Sequence, residues 1–266
     1  MQIARRQLGR FQGVSQILIY NWHFYVAALA ADLLIILLLI SFPHTICRPL
    51  LWLIAIPPTF WAVSSILVSH YVYDRSALYR WEWLSTVLDN RAEIWLNIHA
   101  GLDQTTVPLS RIFPAAQIKS IDIYTPYEMS EPSIARARHR AQPTTIHEIA
   151  DATALPFADS ACDAVLVIFA AHELRSHDAK FRLFRELHRV LKPDGRIVLV
   201  EHLRDWRNFL AYGPGFFHFF SARVWCSVAS QAELNGINER SVTPFVKCFV
   251  LGKSDESAPR HTGPLS

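Results

Sequence analysis

Charge is scarce in this chain, and the shortage is concentrated. Asp, Glu, Lys and Arg make up 18% of the 266 residues, and apolar residues 51%. The formal net charge of +3 is too small for the cationic surface of a nucleic-acid binder, so no nucleic-acid partner is expected. The four cysteines (Cys47, Cys162, Cys226 and Cys248) make no CxxC pair. That argues against a zinc knuckle or redox dithiol and for free thiols in a reducing compartment. Close His-x-His or His-x-x-x-His spacings are lacking too, so spacing assigns no metal ligands. A secretory leader is not expected either, because the first apolar run is too long and no small-residue cleavage site follows it.

Two apolar runs account for most of the excess hydrophobicity. Asp32 is the only charged residue in 24–41, and 50–72 has none apart from the titratable His70. A bilayer core of ~30 Å needs about 20 helical residues, which predicts transmembrane helices at about 24–42 and 50–72. The break between them is long enough only for a tight hairpin. Arg5, Arg6 and Arg10 precede it, Arg75 and Arg80 follow it, and Arg48 alone sits in the connection. The positive-inside rule then puts both ends in the cytoplasm, making residues 1–75 a multi-pass anchor in the inner (cytoplasmic) membrane. Trp22, Tyr25, Trp52, Tyr71 and Tyr73 lie near the span ends, as interfacial aromatics do. Asp32 either has a function inside the span or meets a hydroxyl on the facing helix. A buried hairpin in a soluble protein is the alternative reading.

A linker helix is expected over 76–92, a soluble domain over 93–253 and a disordered tail over 254–266. Within the domain, short β-rich runs alternate with amphipathic helical runs. Strands are expected at 93–100, 118–124, 144–149, 163–170 and 196–201, with two more near 237–243 and 245–251. Helices are expected up to about 113 and over 130–140, 179–191 and 216–234, with a turn at Lys192-Pro193-Asp194-Gly195. This alternation predicts an α/β fold, a Rossmann-like, doubly wound, mainly parallel seven-stranded sheet preceded by a transmembrane α-hairpin. Ligands of such sheets bind at the C-terminal ends of the strands.

Several segments carry a resemblance. Residues 95–103 (Trp-Leu-Asn-Ile-His-Ala-Gly-Leu-Asp) are followed by Ile121-Asp122-Ile123 and by 150–157 (Ala-Asp-Ala-Thr-Ala-Leu-Pro-Phe). Then come 163–169 (Asp-Ala-Val-Leu-Val-Ile-Phe) and 187–201, with its Arg-Val-Leu-Lys-Pro-Asp-Gly core. Together, in this order and at this spacing, they resemble the class I S-adenosylmethionine-dependent methyltransferases, nearest the branch that includes quinone and small-molecule methyltransferases. The resemblance implies S-adenosylmethionine as cofactor, with Asn97, His99, Gly101 and Asp103 in its loop and Asp122 receiving the ribose hydroxyls. Asp151 would accept from the adenine amino group, Ile123 and Ala152 would flank the ring, and Phe169 completes the set. The chain departs from the family at three positions: Asn97 replaces an acid, while His99 and Asp103 replace loop glycines. A side chain at 99 is expected to crowd the ligand path. Asp103 is expected to cap the next helix or to place negative charge near the cofactor carboxylate.

Methyl transfer from a sulfonium is a direct displacement, so the protein must align the acceptor and remove its proton. His172 and Glu173 follow the fourth strand, and Glu201 and His202 the fifth. Glu201 with His202 is the expected catalytic pair, with His172 next. The aromatic stretch 208–220, with four phenylalanines around His218, looks like a lid or interfacial segment. A hydrophobic small molecule (a lipid, quinone or aromatic metabolite) and the lipid bilayer are the expected partners. The alternatives are a non-catalytic scaffold of the same fold, and an enzyme using the same cofactor for other chemistry with a His/Glu metal site.

Overall fold

The computed structural model describes residues 10–43, 46–88, 93–140 and 148–254. A short helix that the sequence pattern does not announce, α1 (Gln12–Tyr20), precedes the expected hairpin of α2 (Trp22–Ser41) and α3 (Arg48–Ser69). Both hairpin helices are long and apolar enough to cross a membrane by length and composition. Each is apolar on all sides, and only Ile35, Leu39 and Ala55 form a small buried cluster between them. Leu29, Leu33, Leu37, Ile40, Leu53 and Ile56 remain exposed on the hairpin, an apolar surface of the kind that marks a membrane or partner contact. Asp32 meets a hydroxyl on the facing helix, as one of the two readings has it: Thr59 Oγ1 donates to its Oδ2 at 2.7 Å.

Beyond α3 the chain tightens into a π-helical turn (His70–Arg75) and two 3₁₀ turns (Leu78–Arg80 and Glu82–Thr86). These replace the linker helix expected over 76–92, of which 89–92 lie outside the described residues. The reason is the burial pattern. Trp81 and Trp83 are both buried, yet residues two apart point to opposite sides of a helix. Trp81 instead takes a left-handed conformation (φ 58°) that breaks the run. Leu78, Trp81, Trp83 and Leu84 then pack with Trp95, Leu166, Val198 and Val250 in the core on one face of the sheet. The hairpin therefore runs into the core of the domain.

The sheet contains β1 (Ile94–His99), β2 (Gln117–Asp122), β3 (Glu148–Ile149), β4 (Cys162–Ile168), β5 (Leu191–His202), β6 (Leu234–Thr243) and β7 (Val246–Lys253). Its order is β3-β2-β1-β4-β5-β7-β6. The first five strands are parallel, and β7 runs antiparallel to both β5 and β6. This is the doubly wound, mainly parallel arrangement that the alternation predicts. Central β4 has both faces covered, which is why its sequence is a continuous apolar run. Of the strand expected over 144–149, residues 144–147 lie outside the described residues, as does 255–266 of the expected tail.

The connecting helices are α4 (Thr106–Ile112), α5 (Pro132–Arg140), α6 (His177–Val190), α7 (Trp206–Tyr212) and α8 (Ala222–Gln231). On α6, Leu183, Phe184, Leu187 and Val190 form the buried stripe that its spacing predicts. The turn at 192–195 is absorbed into β5 as a bulge, where pairing jumps from Cys162–Leu191 to Ala164–Arg196. The helix expected over 216–234 starts only at Ala222, because Phe220 bridges back to Leu203. Arg204 also draws the carbonyls of Phe217 and Phe219 toward it. The segment before it, α7 and a 3₁₀ turn (Gly213–His218), packs against α3. Ser64 Oγ donates to the Leu210 carbonyl at 3.1 Å, and the Trp61 and Phe209 rings meet edge to face at 5.4 Å.

Candidate active site at the C-terminal edge of the sheet

The loop after β1 is a closed polar network. Asn97 is buried, and its Nδ2 lies 2.7 Å from Thr105 Oγ1, 2.8 Å from Thr106 Oγ1 and 3.2 Å from Asp103 Oδ1. Asp103 Oδ1 accepts the N–H groups of Thr105 and Thr106, and its Oδ2 accepts from Ser120 Oγ at 2.6 Å. Asp103 thus satisfies donors at the start of α4, where a carboxylate is favoured. Burial opposes its charge, but the bonds from Ser120 and Thr106 outweigh burial and lower its pKa. His99 spends its ring nitrogens on Ser120 Oγ (3.1 Å) and on the N–H of Gly101 (3.1 Å). These three departures from the glycine loop support one another.

The group beside Gly101 is Arg138, on α5. Gly101 has φ +89°, and a Cβ there would collide with the Arg138 guanidinium. Arg138 Nη1 donates to Asp122 Oδ2 at 2.7 Å, and the guanidinium stacks over Tyr124 at 3.9 Å. Asp122, at the end of β2, is 1% exposed, and its other oxygen accepts the N–H of Tyr124 at 2.9 Å. The carboxylate expected to hold sugar hydroxyls is therefore buried at the end of β2 and paired with an arginine that the sequence pattern does not single out.

Beside it opens a cleft of about 330 Å³ lined by Thr125, Glu128, Asp151, Ala152, Thr153 and Leu174, among others. Asp151 turns one oxygen to the N–H and hydroxyl of Thr153, and these bonds lower its pKa. Ile123 is fully buried in the core behind the cleft. Phe169 departs from expectation. With φ 50°, a costly conformation for a large side chain, it stacks on His202 (centroids 5.2 Å apart, planes at 25°) and does not line the cleft.

The expected catalytic pair is split by strand geometry. Neighbouring residues of a strand point to opposite faces. Glu201 turns to His172, whose N–H is 3.2 Å from Oε1 and whose Nδ1 is 2.6 Å from Oε2. His202 turns away, with Nδ1 against the Phe245 carbonyl at 2.9 Å and Nε2 against Tyr73 Oη at 2.9 Å. Its ring lies between those of Phe169 and Phe219, and burial lowers its pKa to about 4. His202 thus fastens β5 to the turn after α3.

On the other face His172 gathers a second set. Its Nε2 is 3.4 Å from Glu173 Oε1, and the His218 ring meets it edge to face at 4.9 Å. Burial opposes charge on His172, but Glu201 and then Glu173 outweigh burial and raise its pKa to about 10. Burial, and then His172, lower that of His218 to about 3. Arg175 Nη1 donates to the carbonyls of both His172 and His218, tying the two segments together. Lys180, also overlooked in the sequence, is buried with its ammonium 3.6 Å from the Phe220 ring centre. Burial lowers its pKa to about 8. Glu128 borders the cleft and Glu131 approaches His218 at 3.7 Å, so the loop from 125 to 131 joins cleft and cluster.

A family described as a methyltransferase domain matches residues 101–199. The demethylmenaquinone methyltransferase of Thermus thermophilus is 32% identical over 107 residues, 40% of this chain and 46% of that protein. The ubiquinone/menaquinone biosynthesis C-methyltransferase UbiE of Chromobacterium violaceum is 36% identical over 76 residues, 29% of this chain and 28% of that protein. The chain thus spans less than half the length of these curated relatives. Among solved structures, a Burkholderia thailandensis 1,6-didemethyltoxoflavin-N1-methyltransferase with bound S-adenosylhomocysteine aligns at a TM-score of 0.47 and 18% identity, covering 73% of this chain and 88% of that one.

Proposed function

We propose that this chain is a membrane-anchored methyltransferase that moves a methyl group from S-adenosylmethionine to a hydrophobic small molecule, with a quinone precursor as the favoured class. The observation that carries the reading is a convergence at one sheet edge. The buried Asp122, the cleft bordered by Asp151 and the Glu201–His172 pair all lie at the C-terminal ends of parallel strands. The relatives named for menaquinone and ubiquinone synthesis support the substrate class.

The residues present fit the cofactor. Asp122 is an acceptor-only group suited to two hydroxyls, and Gly101 leaves room beside it that only a movable arginine side chain fills. Asp151 and Ala152 would border the base. When bound, the cofactor supplies an electrophilic methyl group. Glu201 fixes the His172 ring, and His172, Glu173 and His218 form a polar cluster beside the phenylalanine-rich segment 216–220. An acceptor hydroxyl would lie near this cluster.

The hairpin supports a bilayer location with both ends on the cytoplasmic side. Trp61, which touches Phe209, lies eight residues before the end of α3, about 12 Å along the helix. The segment after β5 would therefore dip into the interface, with Trp206, Leu210 and Phe217 exposed toward lipid. A greasy acceptor would enter from there.

The test is transfer of label from methyl-labelled S-adenosylmethionine to a quinone-precursor extract by the full chain in detergent. Transfer that is lost in Asp122→Asn is expected. A folded protein that transfers no label to any lipid-soluble acceptor would instead support the scaffold reading, which the Arg138–Asp122 pair favours.

A further inference from the structure

We propose that His172, Glu173 and His218 bind a divalent transition-metal ion. One ligand atom from each lies within 4.8 Å of the other two. Glu173 Oε1 is 3.4 Å from His172 Nε2 and 3.9 Å from His218 Nε2. Metal bonds of about 2.0–2.1 Å at the tetrahedral angle put donors roughly 3.4 Å apart, so Glu173 is near that spacing to both imidazoles and the two rings must close toward each other.

Three further observations point to a cation. Glu201 is fully buried and is bonded to His172 through Nδ1. In metal sites such a carboxylate holds the imidazole so that Nε2 presents its lone pair. Nε2 faces the Glu173 carboxylate at 3.4 Å, a contact that needs a positive centre between them, either a proton on the imidazole or a metal ion that displaces it. Glu173 Oε2 is buried and has no hydrogen-bond partner among the described residues. Glu131 Oε1 also lies 3.7 Å from His218 Nδ1, so a second carboxylate backs a second imidazole. Two imidazoles and one carboxylate suit zinc, manganese or iron, and three protein ligands leave a position open for water or a substrate oxygen. The wide sequence separation of the ligands explains why spacing gave no sign of them. His99 and His202 are held away from the cluster by Ser120 and Tyr73.

The inference does not depend on methyl transfer, and its test does not use that reaction. Full-length protein in detergent is stripped with a chelator and titrated with Zn²⁺ by calorimetry, with bound metal counted by elemental analysis. One equivalent is expected. Glu173→Gln and His218→Ala should each weaken binding by at least tenfold, and Glu201→Gln by about 10–100-fold. His188→Asn, on the outer part of α6, should leave it unchanged. Substitution with Co²⁺ gives a second readout on the wild-type chain, visible ligand-field bands that vanish in Glu173→Gln. Less than one equivalent in the wild type, or binding indifferent to Glu173→Gln and His218→Ala, would overturn the proposal. The cation between Nε2 and the carboxylate would then be a proton.

Discussion

On the proposed reading, Arg138 sets a cost on cofactor binding that one substitution removes. Its guanidinium lies beside Gly101 and bonds Asp122, the carboxylate the ribose would need. A hydrogen bond to a charged group is worth about 1.5–3 kcal/mol net. Arg138 is 28% exposed at its side chain, so the low end applies. Stacking on Tyr124 adds about 0.5–1 kcal/mol at a partly exposed site. Breaking both contacts before the nucleotide seats costs about 2 kcal/mol, and each 1.4 kcal/mol is tenfold in affinity. Arg138→Ala should therefore bind S-adenosylhomocysteine about 10–30-fold more tightly than the wild type by calorimetry in detergent. Its ligand-free melting temperature should fall, because Asp122 is left buried without its cation. Unchanged or weaker affinity would refute the reasoning, and Arg138 would then belong to the bound form as a ligand contact.

Other consequences follow from the way the domain is fastened to the hairpin. The folded pKa of His202 lies below its ordinary value, so the unfolded chain binds more protons between about pH 6.5 and 4. Stability should be complete above that window and fall by roughly 3 kcal/mol as pH drops through it. Denaturant titrations at pH 7 and pH 4.5 should show the loss, and His202→Gln should flatten it; Tyr73, Tyr212, Asn208 and the nearby His172 face the ring. Gly213 has φ +55°, and a Cβ on it would lie 2.5 Å from Trp61 Cδ2. Gly213→Ala should cost about 1–3 kcal/mol, read as faster proteolysis after α7 with the sheet intact. Asp74 accepts the N–H groups of Gly13 and Val14 at the start of α1, at 2.6 and 3.1 Å. Asp74→Ala should destabilise α1 by about 1 kcal/mol, seen as faster hydrogen exchange confined to 12–20.

What could be read from the sequence was what periodicity encodes. The continuous run of β4 and the stripe on α6 declare strand and helix because one is buried on two faces and the other on one. The place of Asp122 at the end of β2 was legible from the strand pattern. Pairing Glu201 with His202 failed for a reason the sequence already held, since adjacent strand residues face opposite ways. Glu201 needed a partner from the β4 end, and His172 was available there. Arg138 was not legible: it sits among Arg136 and Arg140 on a polar helix, and only the fold selects which of the three reaches Asp122. Arg136 instead donates to the Tyr20 carbonyl at 2.6 Å. The linker was misread because a polar-looking connection proved to carry the tryptophans that cover a sheet face. The closed network of Asn97, His99 and Asp103 was visible only as one missing acid and two missing glycines, because its partners Ser120 and Thr106 come from other elements.

The most direct test is equilibrium binding of S-adenosylhomocysteine to the full chain in detergent, with Asp122→Ala as its comparison. Saturable one-to-one binding in the wild type, lost with the carboxylate while the fold is kept, is the predicted result. A well-folded wild type that takes up no nucleotide, in a variant lacking the Arg138 guanidinium as well, would contradict it.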